Sequence, residues 1–248
     1  MTGPDTAAAP PSSATAATPL LAVAGLDAWY GDAHILHGVS FTVPEGEVVT
    51  LLGRNGAGKT TTLKAIMGLV RCAGSIVFAG REIAGWAPFR IAGQGVAYCP
   101  EERGVFSSLT VAENLRLPPV VCAGGLSEAA ILELFPNLAL RLDHRGNELS
   151  GGEQQMLAMA RILRTGAKFM LLDEPTEGLA PVVVQGIGRT LRRLKALGFT
   201  ILLVEQNLRF ASSVADRHYV IDHGRVAEMI PAAELALRRD RIQSYLGV

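Results

Sequence analysis

Cysteine and net charge are scarce in this sequence and long apolar runs are missing, and each lack excludes something. The three cysteines, Cys72, Cys99 and Cys122, are odd in number, far apart and without a C-x-x-C pair. Neither a disulfide framework nor a zinc site is indicated, and a reducing compartment fits best. Lysine plus arginine equals aspartate plus glutamate at 23 each, so electrostatics give no reason to expect nucleic acid or an anionic membrane surface as the main partner. No apolar run approaches the ~20 residues that a bilayer-spanning helix needs, and the chain itself is expected to be soluble. The five histidines, His34, His37, His144, His218 and His223, show no ligand spacing and are assigned no chemistry. Residues 1–19 are almost entirely Ala, Pro, Thr and Ser. With no basic start and no apolar block, they are expected to form a disordered tail, neither a secretion signal nor a mitochondrial leader.

What the chain does have is hydrophobic residues, 49% of its 248, enough for one large α/β domain or one domain with a modest insertion. That fraction permits a docking surface without requiring one. Within it, Gly53, Arg54, Asn55, Gly56, Ala57, Gly58, Lys59, Thr60 and Thr61 fit the G-x-x-x-x-G-K-[ST] phosphate loop without a gap. An apolar strand over 47–52 precedes the loop and helical spacing over 61–69 follows it, which is the context the motif requires. The glycines let successive N–H groups turn toward one anion, and the helix adds its positive N-terminal end. Lys59 would reach the β and γ phosphates of a nucleotide, and Thr60 would offer its hydroxyl to a magnesium ion.

Strand-like runs at 21–29 and 39–43 flank Tyr30-Gly31-Asp32. The Tyr30 ring could stack on a purine or simply pack at a strand edge. A strand over 75–78, a turn at Ala79-Gly80, a helix near 87–93 and a buried strand over 95–99 follow. Behind Pro100 sits the polar loop Glu101-Glu102-Arg103-Gly104, a place suited to ligand contact. Residues 109–149 read as helical: Thr110 with Glu113 forms a capping box, Pro118-Pro119 stops that helix and Ser127 caps another. This region, about 105–165, is expected to be an inserted helical subdomain. Ser150 and Glu153 form a second capping box, but Gly151 and Gly152 would cost helix stability, so the glycines suggest a second anion site.

An apolar strand over 169–173 ends in Asp173 and Glu174. After a phosphate loop, such a pair would hold magnesium through Asp173 and polarise an attacking water through Glu174. A helix over 182–197 bears Arg189, Arg192, Arg193 and Lys195, read as a solvated face. A buried strand over 200–204 then leads to Gln206 and to Asn207, an N-cap. A terminal hairpin turns at Asp222-His223-Gly224.

The phosphate loop, Leu149-Ser150-Gly151-Gly152-Glu153-Gln154 and the Asp173-Glu174 strand, in that order, resemble the ATP-binding subunits of ABC transporters from about residue 20 to the C-terminus. The resemblance implies a P-loop NTPase cassette of the α/β class: a RecA-like parallel-sheet core, an antiparallel β element and the helical insertion. It implies ATP and Mg2+ as ligands, with Thr60, Asp173 and Glu101 at the metal and Tyr30 and residues 53–61 at the nucleotide. It also implies a head-to-tail dimer, with itself or a sister ATPase, in which Ser150, Gly151, Gly152 and Glu153 close over the partner's ATP. Where most cassettes have glutamine, aspartate and the switch histidine, this chain has Glu101, Ala180 and Gln206. Pro-Glu, Gly-Leu-Ala-Pro and Val-Glu-Gln-Asn together resemble the LivF-type ATPases of branched-chain amino-acid importers. Urea and short-chain amide importers share much of the pattern.

That resemblance implies ATP hydrolysis coupled to transport, at the cytoplasmic face of a membrane, with permease subunits and, indirectly, an external solute-binding protein. Glu174 would be the principal base. Gln206 can donate to the γ-phosphate but lacks the charge of a histidine, so it would position. The alternative is a soluble ABC ATPase of DNA repair, ribosomes or iron-sulfur assembly. Neither a long coiled-coil insertion nor a second cassette is present, and the intact Lys59, Ser150 and Glu174 weigh against a non-hydrolysing subunit.

Overall fold

The computed structural model describes residues 18–246; all but the last two residues of the expected tail lie outside them. In chain order the elements are β1 (Leu21–Tyr30), β2 (Ala33–Val43), β3 (Val48–Leu52), α1 (Lys59–Ile66), β4 (Arg71–Phe78), β5 (Arg81–Glu82), α2 (Pro88–Ala92) and β6 (Val96–Cys99). There follow α3 (Val111–Arg116), α4 (Glu128–Leu134), α5 (Pro136–Ala139), α6 (Gly151–Leu163), β7 (Phe169–Asp173) and α7 (Pro181–Ala196). The last are β8 (Thr200–Glu205), α8 (Leu208–Val214), β9 (Arg217–Asp222), β10 (Arg225–Pro231) and α9 (Arg239–Leu246).

They form two sheets, one antiparallel in the order β2-β1-β4-β5 and one of six strands in the order β10-β9-β3-β8-β7-β6. In the larger sheet β3, β6, β7, β8 and β9 are parallel, and only β10 runs against its neighbour. Every residue of β3, β7 and β8 is buried, as continuous apolar strands covered on both faces must be. Their side chains alternate between opposite faces, with Leu52 of β3 in a smaller third cluster beside Val220 and Ile230. Leu51, Leu171, Leu202 and Val204 meet α1 and the antiparallel sheet through Leu63, Ile66, Leu36 and Phe41. Met170, Leu172, Ile201 and Leu203 meet α6, α7 and α8.

The capping boxes form as the sequence predicts: Thr110 Oγ1 accepts from Glu113 N at 3.2 Å and Ser150 Oγ from Glu153 N at 3.3 Å. Ser127 and Asn207 cap α4 and α8 in the same way. Helices α3, α4 and α5 are short, and Val111, Ile131, Phe135 and Leu138 join the same apolar cluster as Leu157 of α6 and Met170 of β7. The segment between β6 and β7 is thus seated on the main core through α6.

The chain departs from its sequence reading at several boundaries, among them β4, which starts at Arg71 and not at 75 because its first half pairs with the end of β1. The phosphate-loop helix ends at Ile66, because Gly68 at φ 67 carries the chain out of it. Strand β2 starts at Ala33, well before the expected residue 39, since its first half pairs with the end of β1. The terminal hairpin does form, but its first strand is also a core strand: β9 lies parallel to β3, with Leu51 opposite Tyr219.

Candidate functional site

The carboxyl ends of β3, β7 and β8 converge at one edge of the parallel sheet, the crevice where open α/β sheets bind ligands. Leu52 delivers the chain to Gly53, whose position against β9 is so close that a Cβ would lie 2.4 Å from the carbonyl oxygen of Ile221. Gly58, at φ 108, is the N-cap of α1, a conformation that disfavours any other residue. The loop curls around the ammonium of its own Lys59, which donates to the carbonyls of Gly53 at 2.9 Å and Arg54 at 3.0 Å.

Lys59 also meets Glu174, Nζ to Oε1 at 3.0 Å, with side chains only 3% and 7% exposed. Glu174 follows the last residue of β7 and has φ 43, a left-handed backbone that is uncommon outside glycine. Gln206 Nε2 donates to Glu174 Oε2 at 3.2 Å. Beside this group, Asp173 Oδ1 accepts from Thr60 Oγ1 at 2.9 Å and Oδ2 from the Tyr98 hydroxyl at 3.0 Å. Burial raises the pKa of Asp173 while those two hydrogen bonds hold it down. Burial, and then the charge of Asp173, push the Tyr98 phenol up, so it stays a donor.

A cavity of about 370 Å³ opens onto these groups, lined by Tyr30, Ile35, Asn55, Gly56, Gly58, Lys59, Thr60, Thr61, Glu101, Glu174 and Glu177. Gly53, Arg54 and Ala57 complete the loop behind it: the Arg54 side chain is exposed, and Ala57 N donates to Arg54 O at 3.2 Å. Asp173 and Gln206 stand one hydrogen bond behind the lining. Larger grooves of about 670 and 890 Å³ flank α8, but neither holds the glycine loop or the acid pair.

The second motif is not brought to this cavity. Ser150, Gly151, Gly152 and Glu153 open α6, and none of them lines it. The Glu153 carboxylate turns back onto Ser150, accepting from its N at 2.8 Å and its Oγ at 2.7 Å, so Glu153 acts as a cap within its own chain. Gly152 has a packing reason beyond any anion: a Cβ there would lie 2.8 Å from Val183 Cγ1. Alanine normally gains up to ~1 kcal/mol over glycine inside a helix. Gly152→Ala should instead lose about 1–3 kcal/mol from overpacking against a stiff β-branched neighbour. Urea unfolding checks this, and Val183→Ala in the same chain should recover most of the loss.

Three groups escaped the sequence reading, one of them Tyr98, whose hydroxyl holds Asp173. Glu177 lines the cavity, and the neighbouring Glu174 carboxylate raises its pKa. Its turn follows the acid pair directly, and that adjacency was the available signal. Glu205, at the end of β8, is pushed up to about 7 by burial and accepts from Thr176 Oγ1 at 2.7 Å. A lone glutamate closing an apolar strand carried no such signal.

The ABC transporter family matches residues 36–177. The high-affinity branched-chain amino acid transport ATP-binding protein BraG of Pseudomonas aeruginosa is 42% identical, over 88% of this chain and 96% of its own. The probable branched-chain amino acid transport ATP-binding protein LivF of Archaeoglobus fulgidus is 38% identical, over 87% and 94%. The lipopolysaccharide export system ATP-binding protein LptB of Escherichia coli is 34% identical, over 88% and 93%. Among solved structures, an ATP-binding subunit of an ABC transporter superimposes with a TM-score of 0.76 at 31% identity, over 92% of this chain and 100% of the other. An ATP-binding cassette in its ADP conformation gives 0.78 at 25% identity, over 94% and 100%. With a phosphate loop and acid pair at one sheet edge and relatives of this extent, the chain belongs to the ABC transporter family, as one of its ATP-binding cassettes.

Proposed function

We propose that this cassette is the ATP-hydrolysing subunit of an importer for branched-chain or related amino acids, working as a head-to-tail dimer beneath membrane permease partners. The observation that carries the ATPase reading is the buried Lys59–Glu174 pair, with Gln206 on Glu174, beside Thr60–Asp173 and facing the glycine-loop cavity. The import reading is supported by the BraG and LivF relatives, which are more similar to this chain than the export cassette LptB. No helix among the described residues is long and apolar enough to cross a membrane, so anchoring at the cytoplasmic face would fall to the permease.

Lys59 sits where it can hold the β and γ phosphates, trading its carboxylate and carbonyl partners for phosphate oxygens. Tyr30, half exposed at the mouth, offers a ring for the base to stack on. Glu174 accepts a proton from the attacking water, and Gln206 holds its carboxylate in place. The donors near Thr60 suit magnesium. They are all oxygen, and the Asp173, Glu174, Glu101 and Glu177 carboxylates gather against the single ammonium of Lys59. Thr60, Asp173 and Glu101 would hold the ion, which when bound neutralises phosphate charge. Ser150, Gly151 and Gly152 cannot serve the cavity of their own chain, so they would serve a partner's.

Purification of the tagged protein from membranes tests the assignment. Permease subunits and ATPase activity responsive to the partnered solute-binding protein are expected. Recovery with soluble scaffold proteins alone would overturn the transport reading.

A further inference from the structure

A second cluster of ligand-bearing side chains lies on the antiparallel sheet, outside the cavity lining. In a regular strand, side chains three apart point to opposite faces, and by that rule His34 and His37 are separated. The pairing of β1 with β2 breaks the rule. From Trp29↔His34 to Ala28↔Leu36, and again to Leu26↔Val39, β2 advances one residue more than β1. Such bulges re-aim side chains. They bring both histidines to the face that carries Asp27 and Trp29.

There His34 Nε2 is 2.9 Å from Asp27 Oδ1, and the two imidazoles meet edge to face with centroids 4.1 Å apart. Ligand atoms of Asp27, His34 and His37 all lie within 4.8 Å of one another. Ligands of a tetrahedral zinc ion are about 3.3 Å apart, given bonds of about 2.0–2.1 Å, so rotation of partly exposed side chains closes the difference. Trp29 stacks on His34 with centroids 4.6 Å apart and planes 16° from parallel, and it carries the Arg71 guanidinium 4.8 Å from its own centroid. That stack fixes the plane of one ligand before any ion arrives, the role outer partners play at metal sites.

We propose that Asp27, His34 and His37 form a binding site for one divalent transition-metal ion of the zinc class, bridging β1 and β2. Two imidazoles and a carboxylate make a nitrogen-oxygen set that favours such an ion over magnesium or calcium. The bridge would clamp the strands on either side of the turn bearing Tyr30. It does not depend on what the nucleotide cavity does.

The test is calorimetric titration of the untagged full chain with Zn2+, in excess Mg2+ to fill oxygen-donor sites. The wild type should bind one ion per chain at this site. Loss of a mere outer partner costs ~10–100-fold in affinity, so Asp27→Ala, His34→Ala and His37→Ala should each lose at least that. His37→Cys supplies a replacement ligand. It should keep the binding and, with Co2+, add a thiolate-to-cobalt absorption band that Cys72, Cys99 and Cys122 do not give in the wild type. Equal Zn2+ affinity and stoichiometry in the wild type and the folded His34→Ala/His37→Ala double variant would overturn the proposal, as would a His37→Cys protein without the band.

Discussion

Glu174→Gln is expected to keep ATP bound and to slow turnover ~10²–10⁴-fold, the usual worth of a positioned general base. The fold should survive, because the amide oxygen of glutamine can still accept from Lys59, and Lys59 retains the carbonyls of Gly53 and Arg54. What is lost is a carboxylate able to take a proton from water. Single-turnover hydrolysis beside equilibrium nucleotide binding separates the two effects. Hydrolysis at a near-normal rate would transfer the role to another group, and Glu177, which lines the same cavity beside Glu174, is the candidate. Glu174→Gln/Glu177→Gln would then be the slow protein.

Lys59→Ala should fail twice, in ligand binding and in stability. A hydrogen bond to a charged group contributes about 1.5–3 kcal/mol, so losing the phosphate contact should weaken ATP by ~10–100-fold. Removal of one member of a buried ion pair costs about 3–5 kcal/mol, because the other charge stays buried and unpaired. Gln206 still donates to Glu174, which places this case near the lower end. For a chain of this size ~3 kcal/mol corresponds to a fall in Tm of about 6–12 °C. The discriminating variant is Lys59→Ala/Glu174→Gln: neutralising the stranded carboxylate should restore most of the lost Tm while nucleotide binding stays weak. An unchanged Tm in Lys59→Ala alone would mean that water already screens Glu174 and that the pair adds nothing to folding.

Much of this site was legible from residues next to one another. A glycine loop between strand and helix, a capping residue three places before glutamate and an apolar run ending in two acids act through the local backbone, so their meaning survives without a fold. Thr110, Ser127, Ser150 and Asn207 all cap as read, and β3, β7 and β8 lie where continuous apolar runs placed them. The phosphate loop, both acids and Glu101 then meet where parallel strands share a carboxyl end, and Tyr30 reaches the same cavity from the antiparallel sheet.

The sequence by itself therefore determined the elements of the cassette and the chemistry at their ends. Only the tertiary structure decided which ends touch: Lys59 with Glu174, Tyr98 with Asp173 and Glu177 with the cavity, through crossovers that leave no periodic trace in the chain. It alone turned His34 and His37 to one face, since a bulge is a property of two paired strands and not of either one. It also set Ser150, Gly151 and Gly152 apart from the phosphate loop of their own chain, because a helix tip rooted in one core cannot reach across the sheet edge to another.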